Sequence, residues 1–164
     1  MVLLCGMEID ELRNAYAVLQ KNYNLPSFDE LNAMFDIGKI ERDSGNLLRD
    51  VRRAMVEKVA HYLRLMELMI NPSQASPIFL ILLKEITSVD RQVLDKVFSA
   101  FIEIELGSYK LDVGSSDSDE TDFIRKVYEI WTSNRDELIK LISILDRNWK
   151  NNSVKNHRTR EYFN

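Results

Sequence analysis

The sequence predicts an all-α fold, a single-domain bundle of five to six helices organised around one long central helix. Three observations lead there. Only 5 Gly and 3 Pro interrupt 164 residues, which leaves room for little besides a handful of long helices. Asn46 to Asn71 reads as the longest unbroken helical pattern, free of both residues and stopped by Pro72. Within it Leu48, Val51, Met55, Val59, Tyr62, Met66 and Met69 recur at three- and four-residue steps, the mark of one buried helix face. At 1.5 Å per residue this helix spans roughly 39 Å, so the others are expected to lie against it.

The remaining elements follow in order. A first helix is predicted from Met7 to Asn22, with Ile9, Leu12, Tyr16, Leu19 and Tyr23 on one stripe, and Leu25-Pro26 ends it. Ser27 stands three residues before Glu30, the spacing of a capping box, which predicts a short helix over Phe28 to Phe35. Its apolar side is Phe28, Leu31 and either Met34 or Phe35, and Ile37 and Ile40 should tuck inward after it. Asp43 or Ser44 is placed to cap the long helix. Ser76-Pro77 offers a cap followed by proline at the first helical position, opening PIFLILLKEIT. That segment is apolar almost all round and is expected to be buried on most sides.

Ser88 begins a further helix, with Val93, Leu94, Val97, Phe98, Phe101, Ile102 and Ile104 inward and Gly114 at its end. GSSDSDET reads as a flexible acidic linker in which Ser118 or Asp119 caps the last helix. There Ile124, Val127, Trp131, Leu138, Leu141, Leu145 and Trp149 hold a stripe that Asn134 and Arg135 interrupt, and one helix is favoured over two. Residues 1–150 are expected to form the helical domain and 151–164 a disordered basic tail.

Composition excludes several classes of protein. Hydrophobic content of 45% with 29% charged residues is that of an ordinary globular chain, neither disordered nor fibrous. Cys5 is the single cysteine, which rules out an intramolecular disulfide and a cysteine zinc site. The start, MVLLCGMEID, lacks the basic flank and the apolar length of a signal peptide, and Met7 offers a second start. No window approaches the ~18 apolar residues of a membrane span. A soluble, cytoplasmic protein is expected. The net charge of −4 is unevenly spread: from Arg147 onward five basic residues face one acidic residue, a local +4 that leaves −8 on the preceding 146 residues.

Candidate sites are few. Arg52 falls in the apolar arc of the long helix beside Leu48 and Val59, and Glu105 in the arc formed by Leu94, Phe98 and Phe101. A buried charge needs a partner, so the two are expected to pair, as a structural ion pair or as part of a pocket. Glu57 and His61 share a helix face four residues apart, without the three-residue step and second helix of a diiron site, so no metal is predicted. The acidic residues Asp112, Asp117, Asp119, Glu120 and Asp122 lack calcium-loop spacing. Arg53 and His61 lie too far apart for the Arg-x4-6-His signature of HEPN ribonucleases. No phosphate loop, nucleophile elbow or acid pair appears, so neither an enzyme nor a cofactor is expected. In the tail, Lys150, Lys155, Arg158 and Arg160 could meet phosphates, with Tyr162 or Phe163 stacking on a base.

LPSFDELNAMFDI, LLRDVRRAMVEKV and FIRKVYEIW together resemble a group of small archaeal helical proteins of uncharacterised function, over roughly Glu8 to Trp149. The resemblance implies an archaeal cytoplasmic protein and supplies no catalytic residues. The Leu-Arg-x-x-Arg-Arg run at Leu48 to Arg53 also resembles helical domains of GINS replication subunits. The expected function is a non-enzymatic protein–protein interaction or scaffold module able to associate with itself. The alternative is a nucleic-acid-associated protein working through its tail.

Overall fold

The structure, a computed structural model, describes the backbone of residues 2–40 and 45–160 and the side chains of 9–40, 45–73 and 75–152. Six helices follow one another with no strand among the described residues: α1 (Val2–Tyr23), α2 (Phe28–Phe35), α3 (Leu47–Ile70), α4 (Pro77–Leu82), α5 (Ser88–Val113) and α6 (Asp117–Arg160). Short 3-10 turns lie at Ile37–Lys39 and Pro72–Gln74. The all-α bundle is as expected. The longest element is not, because α6 has 44 residues against 24 in α3.

Capping chemistry sets most boundaries. Ser27 accepts from the Glu30 N–H while Glu30 accepts from the Ser27 N–H, closing the predicted box at the start of α2. Asp36 ends α2 in the left-handed conformation, φ 57°. Asn46 caps α3 by accepting from the Arg49 N–H; the predicted caps Asp43 and Ser44 lie outside the described residues. Ser76 caps α4 with Pro77 behind it, as expected. Thr87 and Asp90 form a box at the start of α5, and Ser116 with Asp119 a third at the start of α6.

Because Ser116 rather than Ser118 or Asp119 is the cap, the expected acidic linker shrinks to three residues, 114–116. The serine oxygen satisfies orphan N–H groups, and Asp117, Asp119 and Glu120 in the first turn suit the helix dipole. At its other end α6 continues to Arg160, past Asn151, where the sequence placed a tail.

The chain divides into two compact units, Met1–His61 with Phe101–Thr132, and Tyr62–Ala100 with Ser133–Asn164. In the first, Leu12 and Tyr16 of α1, Phe28, Leu31 and Phe35 of α2, Val51, Met55 and Val59 of α3, and Phe101 and Ile104 of α5 are buried with Ile124, Val127 and Trp131 of α6. Trp131 stacks on Phe101 at 5.7 Å and meets Phe35 at 5.0 Å. Gly107 of α5 lets α6 come close, since a β-carbon there would stand 2.7 Å from the Phe123 ring.

The second unit buries Leu63, Met66 and Met69 of α3, Leu94 and Val97 of α5, and Leu138, Leu141 and Leu145 of α6. Asn148 donates to the Leu82 carbonyl at 2.7 Å. It is Asn148 that continues the buried stripe, whereas Trp149, expected inside, is 49% exposed. Helix α4 reverses another expectation. It stops at Leu82, and none of its six apolar residues is buried.

Candidate functional site

The charged residue expected on the inner face of α3 is there, with a different partner. Arg52 has no exposed surface. Its Nε donates to Glu120 Oε2 at 2.7 Å, one terminal nitrogen donates to Asp112 Oδ1 at 2.7 Å, and the other to the Ser108 hydroxyl. Glu120 is 1% exposed, and its second oxygen accepts from the Ser115 hydroxyl at 2.6 Å. Arg53 reaches Asp112 at 3.7 Å, and Arg49 stands 3.8 Å from Glu120 Oε1.

Glu105 is not the carboxylate that engages Arg52. It is half-buried and accepts from the Tyr109 hydroxyl one turn along α5. The reason is a rotation of the buried arc. On α5 the buried positions are Leu94, Val97, Phe101, Ile104 and Ser108, so Phe98 lies at its edge and Glu105 roughly 60° from its centre on a 100° wheel. The inward position at that level belongs to Ser108.

Glu120 and Ser108 were legible in the stripes and passed over. Stepping back from Ile124 by four residues lands on Glu120, and stepping on from Ile104 by four lands on Ser108. Both are polar, so an apolar pattern ends before it reaches them. The result is one polar layer built from α3, α5 and the first turn of α6. Chemically it is closed. The guanidinium spends its donors on fixed acceptors, and the second oxygen of Glu120 is taken by the Ser115 hydroxyl. Its effect is to hold three helices at one level.

The electrostatics agree. The Arg52 hydrogen bond holds the Asp112 carboxyl below the usual carboxylate range, with the neighbouring arginine charges adding to it.

A cleft of about 800 Å³ opens in the first unit between the end of α2 and the α3 face running from Asp50 to His61. Its charged lining is Asp36, Asp50 and Glu57 against Lys39, Arg53 and Lys58, a balance that selects neither anions nor cations. Lys58 donates to Asp36 at 3.0 Å, which together with Lys39 keeps that carboxyl below its ordinary range. One Asp50 oxygen is buried without a hydrogen bond, and burial pushes its carboxyl up. Glu57 and His61 both line the cleft, but no cluster of three metal-ligating side chains exists among the described residues.

Of the predicted tail residues, Lys150 pairs with Asp146 at 2.6 Å one turn back. The side chains of Lys155, Arg158 and Arg160 lie outside those described, as do Tyr162 and Phe163 entirely. Among the described residues no helix is long and apolar enough to cross a membrane. No family model, curated protein or solved structure matches this chain.

Proposed function

We propose that the protein is a non-enzymatic interaction module that binds protein partners, a second copy of itself included, through apolar helix surfaces. The observation that carries this reading is α4. Its six residues, PIFLIL, are all apolar, Ile78 is 61% exposed and Leu80 44%, and not one is buried. A single exposed leucine is ordinary, but a helix with no polar residue that leaves Ile78 and Leu80 in water and only half-buries Phe79, Ile81 and Leu82 offers an apolar docking surface. Ile70 and Val89 are also exposed within the same unit.

The closed Arg52 layer supports the same reading, since it accounts for the buried charges of Arg52 and Glu120 as a fastening. The cleft's charged lining is balanced in sign and singles out no charged ligand. The test is affinity capture from the native cells with the full chain and with Ile78→Lys/Leu80→Lys. Both positions are exposed, so the variant is expected to melt at the same temperature while losing its partners. Identical capture by both proteins would contradict the reading.

A further inference from the structure

Helix α5 carries a second apolar face in the first unit, apart from the one it buries. Ile102, Leu106, Tyr109 and Val113 recur at steps of four, three and four, and the last three are 56%, 59% and 92% exposed. On the helical wheel this stripe lies roughly 130° from the buried arc of Phe101, Ile104 and Ser108. Such spacing is that of a coiled-coil seam, with the core-facing residues on the far side from it.

The charges beside the stripe say what fits it. Glu103 and Lys110 flank one edge, Glu105 and Asp112 the other. Glu103 already meets Lys126 of α6, and Asp112 is held by Arg52, whereas Lys110 has no ion pair within the described residues. Tyr109 donates to Glu105 and so fixes that carboxylate at the rim of the stripe. If a second α5 runs parallel in the same register, each Glu105 faces the Lys110 of the other copy, five residues on, twice by symmetry. Run antiparallel, Glu105 would instead face Asp112 of the other copy, like against like. The acidic rim also disfavours nucleic acid and anionic lipid.

We propose that Ile102, Leu106, Tyr109 and Val113 of α5 form a parallel self-association seam for a second copy of this chain, framed by reciprocal Glu105–Lys110 pairs. This rests on the reading of the protein as an interaction module and names one of its partners. Three turns of helix bury less than the roughly 1,200 Å² of total surface that stable complexes need, so the association is weak and becomes visible only toward about 1 mM.

Sedimentation equilibrium of the full chain up to that concentration is the test, run on wild type, Leu106→Glu, Glu105→Lys, Lys110→Glu and the double charge reversal. Wild type should pass from monomer to dimer, and Leu106→Glu should stay monomeric with an unchanged melting temperature. Each single reversal should weaken the dimer by about threefold or more, and the double should return it to within about twofold of wild type. A wild type that stays monomeric throughout overturns the proposal. So does a dimer indifferent to Leu106→Glu, or one that the double reversal fails to restore. A monomeric wild type whose partner capture still depends on Ile78 and Leu80 would remove the α5 seam and leave the interaction reading standing.

Discussion

At the scale of single residues, the cost of changing Arg52 follows from what it leaves behind. Truncation to alanine strands Glu120, 1% exposed, without its guanidinium. Removing one partner of a buried pair costs about 3–5 kcal/mol, and Arg52→Ala should lose that much in urea unfolding. Replacing both charges by apolar residues, Arg52→Met with Glu120→Leu, should recover most of it, because no fully buried charge is then left unpaired and Asp112, 43% exposed, keeps Arg53 at 3.7 Å. A double variant as unstable as the single one would mean that the pair itself, and not the stranded carboxylate, sets the loss. Asp112 makes a pH prediction. Its carboxyl is depressed by Arg52, so its contribution is present above the unfolded carboxylate value and is lost as pH falls through the folded one. Asp112→Asn should therefore flatten the loss of stability between about pH 5 and pH 2. Asp50 works in the opposite sense. Its raised carboxyl favours the fold when protonated, and that contribution fades as pH rises through its folded value.

At the scale of the elements, the helices were legible wherever a cap or a breaker spelled them out. Ser27 with Glu30, Ser76 with Pro77, and Gly114 after Val113 fixed their boundaries because local backbone groups decide them. Burial was harder to read. Helix α4 is apolar all round and was expected inside, yet hydrophobicity shows only that a surface seeks cover, not that this chain provides it. The α6 stripe runs through Glu120, Asn134 and Asn148, polar residues that hide the period from an apolar count. Gly107 belongs at this scale too. A methyl group would meet the Phe123 ring at 2.7 Å, and that ring is 9% exposed with little room to move. Overpacking costs about 1–3 kcal/mol and the gain in helix propensity returns up to about 1 kcal/mol, so Gly107→Ala should be destabilised by about 1 kcal/mol. A thermal melt that moves upward would show that α5 and α6 are not pressed together there.

At the scale of the whole molecule, the surfaces on which the proposed interaction reading rests are apolar. The Arg52 and Glu120 charges are paired within the fold, and the charges lining the cleft beside Asp36 are balanced in sign. Ile78 and Leu80 of α4 and Leu106, Tyr109 and Val113 of α5 stay exposed among the described residues. Which apolar faces stay exposed could not be read from the sequence, which marks α4 and the outer face of α5 as hydrophobic without saying which side faces water. The most direct measurement is photo-crosslinking in the native cells, with a benzophenone side chain placed at Ile78 and, as control, at exposed Asp95. An interaction module predicts discrete covalent protein adducts from position 78 and none from position 95. Equal labelling at both, or adducts at neither, would contradict it.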